Sequence, residues 1–220
     1  MNFRDLVTVR EQQIEGVGPW TWIKEDNGLW DGPSNEFPGL KKLFLNNMTK
    51  MPKGVLLQAG GGCGMYPRLW SEVFSEVITY EPEALNFYCL QQNCFGRNIF
   101  PHNKALFDKV GMAILRRTSY LNSGEHSLVH EKKETEVPVP TVAIDDFAWA
   151  HGLDAIQLDT EGAEYQIISG GLETIKKYRP AISVETLHLP LQELFEELNY
   201  KEVGRNVSDT LFIPREKHDG

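Results

Sequence analysis

Val55-Leu56-Leu57-Gln58-Ala59-Gly60-Gly61-Gly62-Cys63-Gly64 is the stretch on which the fold turns. The apolar run at its start reads as a buried parallel strand. The glycines after it let the backbone turn sharply and approach a ligand closely before a helix begins. Their spacing separates classes of nucleotide binder. A dinucleotide fingerprint, G-x-G-x-x-G/A, ends on Met65 if started at Gly60 and on Pro67 if started at Gly62, so it fails. No glycine precedes a Lys-Ser or Lys-Thr pair, so there is no P-loop. What remains is G-x-G-x-G, the looser form associated with S-adenosylmethionine.

Downstream, strand and helix patterns alternate. Leu69, Trp70, Val73, Phe74 and Val77 recur at helical spacing. Val77-Ile78-Thr79-Tyr80 reads as a second strand ending in Glu81-Pro82, where a carboxylate can accept hydrogen bonds from both hydroxyls of a ribose. A helix through Leu85, Tyr88 and Cys89 stops near Gly96, and Asn98 to Ala105 is a third strand candidate. After an interruption the alternation resumes with strands Ala155–Asp159 and Ala181–Glu185, helices between and after them, and a closing hairpin of Tyr200–Val203 with Thr210–Ile213. The pattern predicts an α/β, Rossmann-like fold with a mostly parallel sheet that ends in an antiparallel hairpin.

Two regions break the alternation. Between Lys109 and Thr141, the strand-like Met112–Leu115, a polar loop Tyr120–Glu125, a charge run Glu131–Glu136 and the edge-favouring Pro138 and Pro140 predict a β-rich insertion. The charge run is expected to be a solvated face. Residues 1–52 are expected to form an N-terminal arm or cap on a main domain of residues 53–220. The arm is rich in Gly, Pro, Asn and Trp, with one short helix at Gly39–Asn46. Trp20, Trp22 and Trp30 either form a lid over a substrate or pack the arm on the domain.

Composition narrows the function classes. The 220 residues carry 22 Lys and Arg against 31 Asp and Glu, a net charge of −9 that argues against a broad footprint on duplex nucleic acid. Cys63, Cys89 and Cys94 show no CxxC spacing, which argues against zinc or a disulfide framework and suits a reduced cytosol. Met1–Gln13 lacks a signal-peptide core, and no apolar run approaches the ~20 residues of a membrane span. A cytoplasmic protein without a membrane partner is expected.

Leu57–Gly64, Tyr80-Glu81-Pro82, Ala105-Leu106-Phe107-Asp108, Val142–Phe147 and Leu158-Asp159-Thr160-Glu161-Gly162-Ala163-Glu164 come in that order, followed by Arg179-Pro180-Ala181 and Glu185. This series resembles the FkbM-type S-adenosylmethionine-dependent methyltransferases over roughly residues 54–186, with Asp-x-Glu-Gly-x-Glu its most specific part. The Gln-Ala-Gly-Gly and Met-Tyr-Pro variant resembles versions common in phage genomes, which would place the protein in a host cytoplasm. The resemblance implies a class I methyltransferase fold and O-methylation of a hydroxyl on a small molecule or sugar. It implies cofactor contacts from Gln58, Gly60, Gly62, Gly64, Glu81, Ala105 and Asp159. The family usually has an acid where Gln58 stands. A glutamine can hydrogen-bond there but cannot ion-pair with the cofactor's ammonium group.

Methyl transfer to a hydroxyl needs an aligned acceptor and a group to take its proton. Asp159 and Glu161, with His188 as a lesser candidate, are the expected catalytic residues. Glu164 faces the following helix. The competing reading is that these acids merely stabilise a helix start. If Asp159, Glu161 and Glu185 converge, they could hold Mg²⁺ or Mn²⁺ and acidify the acceptor. His126, in its polar loop, could border the acceptor. No Asn/Asp-Pro-Pro-aromatic motif or Pro-Cys pair supports nucleobase methylation. Two other readings stay open: a non-catalytic cofactor-binding or structural module, and an NAD-dependent oxidoreductase, which lacks both its glycine spacing and a Tyr-x-x-x-Lys pair.

Overall fold

A computed structural model describes residues 2–118, 121–129 and 135–218. The arm forms an antiparallel pair, β1 (Val7–Arg10) and β2 (Trp20–Ile23), and then α1 (Gly28–Asn47). Helix α1 is 20 residues long and runs through Pro33 and Pro38, where the sequence suggested only a short helix from Gly39. Burial explains the difference. Trp30, Pro33, Phe37, Leu40 and Phe44 recur at three- and four-residue steps and are all buried. Each interior proline costs about 3 kcal/mol, while fully burying Phe37, Leu40 and Phe44 contributes about 1.5–3 kcal/mol apiece.

The main sheet is built from β3 (Val55–Ala59), β4 (Glu76–Tyr80), β5 (Ile99–His102), β9 (Ala155–Leu158), β10 (Ala181–Val184), β11 (Tyr200–Asn206) and β12 (Asp209–Pro214). Their order is β11-β12-β10-β9-β3-β4-β5. Only β12 runs against its neighbours, pairing antiparallel with both β10 and β11. This is the mostly parallel α/β sheet, closed by an antiparallel hairpin, that the sequence predicted. Order reverses between β3 and β9, so the crevice at their carboxyl ends is where a ligand belongs.

Alternate residues of the central strands feed two cores. Leu56, Val77, Ala155 and Ala181 join Trp20, Trp22, Phe37, Phe44 and Trp70 on one face. That face is covered by the arm, α1, α2 (Met65–Trp70) and α3 (Ala84–Cys94). Leu57, Ile156 and Ile182 join Ile168, Ile175 and Phe195 on the other, under α4 (Glu164–Ser169), α5 (Leu172–Tyr178) and α6 (Leu189–Glu197). A last turn, α7 (Arg215–His218), follows β12. Trp20 and Trp22 are fully buried and Trp30 nearly so, and the latter two rings meet edge to face at 5.0 Å. The tryptophans therefore pack the arm on the sheet and form no lid.

The insertion is a separate sheet of β6 (Ala105–Leu106), β8 (Thr135–Val142) and β7 (Gly111–Arg117), in that order. Ala105 thus leaves the third strand of the main sheet and pairs with Thr141. Strand β8 is central by order, yet β6 meets it only at Thr141 and Val142. Along Pro138 and Pro140 its second side is open, so both prolines are tolerated. Tyr120 and residues 131–134 of the charge run lie outside the described residues. Among the described residues no helix is long and apolar enough to cross a membrane.

Candidate active site

The carboxyl ends of β3, β4, β9 and β10 open into one cavity of about 240 Å³. The glycine loop forms its floor. Gly60 has φ +79°, and a Cβ there would stand 1.6 Å from the carbonyl oxygen of Asp159, so β3 and β9 come together only around a glycine. Gly62, at φ +50°, turns its N–H onto Glu81 Oε2 at 2.8 Å. Glu81 Oε1 accepts from the Glu83 N–H at 2.7 Å. The Glu81 carboxyl is thus held at the cavity wall by the loop it serves. Burial, reinforced by the charge of Glu83, pushes its pKa up to about 8 against the two backbone donors.

Gln58 takes a different place from the cavity residues. It is fully buried, with Nε2 donating to the carbonyls of Ala59 at 3.0 Å and Gly60 at 2.9 Å, and Oε1 accepting from the Thr79 hydroxyl. Its amide braces the glycine loop from below. Gly64, at φ +91°, precedes α2 and packs on Leu90, away from the wall. Ala105 lines the cavity beside Leu106.

Just past the ends of β9 and β10, Asp159 and Glu185 both line the cavity. Burial first, then Glu185 and Asp209, hold the Asp159 pKa well above the usual carboxylate range. Asp209, bonded to the Ser183 hydroxyl at 3.1 Å, is pushed up to about 7 by burial. Glu161 also lines the cavity, from a left-handed backbone at φ +53°, with its carbonyl accepting from the Ser127 hydroxyl at 2.8 Å. Such a conformation is costly for a side chain with a Cβ, and it presents Glu161 to the cavity. Glu164 ties the same turn, accepting from the N–H and hydroxyl of Thr160 at 3.1 and 2.9 Å.

Two expectations gain no support from the geometry. His188 caps α6, its Nδ1 accepting from the Leu191 N–H at 3.4 Å; its ring stands 5.9 Å from Tyr165, and it is not among the residues that line the cavity. Asp159, Glu161 and Glu185 all face the cavity, but among the described residues no group of three His, Cys, Asp or Glu side chains is arranged to hold a metal ion. The nearby Glu185 charge, added to burial, instead raises the Asp159 proton affinity.

Several lining residues were missed in the sequence. Leu29, Pro33 and Glu36 of α1 roof the cavity, with Leu29 against Gly62. Buried Asp26 locks this roof to the insertion: its Oδ1 accepts from the Leu29 N–H at 2.9 Å, and its Oδ2 accepts from the Ser123 N–H at 2.8 Å and hydroxyl at 2.5 Å. His126, expected from its polar loop to border the acceptor, lines the wall as well. Tyr66, two residues past the glycine loop, is 4% exposed and lines the cavity. Burial, with Asp159, Asp209, Glu36 and Glu185 nearby, holds its hydroxyl firmly protonated. Asn86 of α3 completes the wall beside Glu81. Met-Tyr-Pro directly after the loop and the Glu83-x-x-Asn86 helix start were the available signals.

No curated protein matches the chain. Among solved structures it is similar to the methyltransferase FkbM of Methylobacillus flagellatus KT, with a TM-score of 0.51 and 13% identity over 85% of this chain; it spans 61% of that one. It is also similar to magnesium protoporphyrin IX methyltransferase from Synechocystis PCC 6803 with bound SAH (TM-score 0.47, 7% identity, 85% and 87% of the two chains). A third similar structure is precorrin-6y C5,15-methyltransferase from Geobacter metallireducens GS-15 (TM-score 0.44, 12% identity, 80% and 86%). The methyltransferase FkbM domain model matches residues 71–204, more than half the sequence, and the chain belongs to the FkbM methyltransferase family.

Proposed function

We propose that this chain transfers the methyl group of S-adenosylmethionine to a hydroxyl of a small molecule or sugar. The observation that carries the reading is that the glycine loop with Glu81 and the Asp159–Glu185 carboxyl pair open onto one cavity. The residues fit the cofactor. The wall at Gly60 and Gly62 is bare backbone, and Glu81 keeps lone pairs for ribose hydroxyls beyond its two backbone donors. The bound cofactor supplies an electrophilic methyl group.

The chain's own residues supply position and proton transfer. Asp159, with its proton affinity raised by burial and by Glu185, takes the proton a hydroxyl must lose. Tyr66 cannot serve as a base because its hydroxyl stays protonated; it offers a fixed donor to an acceptor oxygen. Glu36, Asp159, Glu161 and Glu185 line the same cavity, and no Lys or Arg among the described residues does. That balance favours an acceptor rich in hydrogen-bond donors over one bearing phosphate.

The test is a screen of sugars and hydroxylated metabolites, with and without a phosphate, read as release of S-adenosylhomocysteine. Methylation of an oxygen on a non-phosphorylated acceptor is expected. Methyl groups found only on nitrogen or carbon would overturn the hydroxyl assignment.

A further inference from the structure

Resting on that reading, the nucleoside end of the cofactor lies against Glu81, and one buried polar atom beside it has no partner. Asn86 sits in the first turn of α3, is 2% exposed and lines the cavity. Its backbone N–H donates to Glu83 Oε2 at 2.9 Å, which fixes the helix start. Its Nδ2 donates to the Ser123 carbonyl at 3.3 Å. That contact also sets the amide's orientation, because the flipped form would place its oxygen against a carbonyl acceptor. Its Oδ1 is buried and accepts nothing among the described residues. Ser123 is held in turn by Asp26, so the amide cannot swing away to find a donor without breaking the roof.

A buried acceptor without a donor is costly, and native structures rarely keep one without a use. The donor it lacks must come from the cavity. Glu81 and Asn86 both line the cavity, so a carboxyl group and an amide oxygen there can accept the two donors of a vicinal diol. A phosphate or carboxylate ligand offers only more acceptors and does not fit them.

We infer that Asn86 Oδ1 is a cofactor-binding acceptor that takes a hydrogen bond from the ribose diol next to Glu81. Asn86 then does two things with one amide. Its oxygen reads the nucleoside, and its nitrogen holds the insertion loop that, with α1, roofs the acceptor.

Calorimetric titration tests this without any acceptor. The ligands are S-adenosylhomocysteine and its 2′-deoxy and 3′-deoxy forms. The proteins are the wild type, Asn86→Leu, the smaller Asn86→Ser in case the leucine does not fold, and Ser123→Ala, which loosens the roof and leaves Oδ1 in place. The Asn86 variants should bind S-adenosylhomocysteine about tenfold more weakly. Wild type and Asn86 variants should bind one deoxy form alike, which identifies the hydroxyl. Ser123→Ala should stay within about threefold of wild type. Asn86 variants that bind S-adenosylhomocysteine as wild type does, or that lose the same factor for all three ligands, overturn the inference alone. A wild type that binds no S-adenosylhomocysteine overturns the methyltransferase reading and this inference with it.

Discussion

Asp159 and Glu185 directly follow two adjacent parallel strands, β9 and β10, and both side chains line the wall of one cavity. The parallel register sets this up: Leu158 pairs with Val184, so the next residue of each strand emerges on the same side. Burial first, and then the charge of Glu185, disfavour ionisation of Asp159 and hold its pKa well above the usual carboxylate range.

Asp159→Asn should lower turnover of a found acceptor by about a hundredfold or more, the scale of a lost general base, and leave S-adenosylhomocysteine affinity within about threefold. Steady-state rates and calorimetry on the same preparations check this. Wild-type turnover in the variant would leave the acids as a helix-start feature only.

Glu81 gives a pH signature without any substrate. Its folded pKa, about 8, lies above the ordinary 4.5, so the folded chain holds the proton more tightly than the unfolded one. Its contribution to stability is fully present below about pH 4.5 and is lost as pH rises towards 8. Glu81→Gln, which cannot ionise, should lack this loss. Between pH 5 and 8 the wild-type Tm should fall relative to the variant by about 2 °C or more. A gap that stays constant with pH would contradict the raised pKa.

Gln58 is suited to its place by its donors. In Gln58→Glu a carboxylate oxygen replaces the Nε2 amide against the carbonyls of Ala59 and Gly60, in a fully buried position. Leaving such groups unpaired costs about 1–3 kcal/mol, so Tm should drop by about 3 °C or more and S-adenosylhomocysteine should bind less tightly. An unchanged melting point with tighter binding would show that the side chain reaches the cofactor after all.

The sequence was most informative where local pattern decides structure. A strand ending in Gly60-Gly61-Gly62 and a strand ending in Glu81 can be read from a few neighbouring residues, and both lie at the cavity. Helix α1 could not be read that way, because Pro33 and Pro38 argue against it locally and only burial of Phe37, Leu40 and Phe44 against Trp70 and its neighbours outweighs them. Ala105 was read into the third strand because its partner, Thr141, lies 36 positions on. Asn86 lines the same cavity as the glycine loop only through the topology. His188 is near Glu185 in sequence, yet its ring is committed to capping α6.

The most direct test of the account is calorimetric titration of the wild type and Glu81→Ala with S-adenosylhomocysteine and, side by side, with NAD. The account predicts one S-adenosylhomocysteine site on the wild type, affinity lower by about tenfold or more in Glu81→Ala because the acceptor for the ribose hydroxyls is removed, and no binding of NAD. A wild type that binds NAD and not S-adenosylhomocysteine would contradict it.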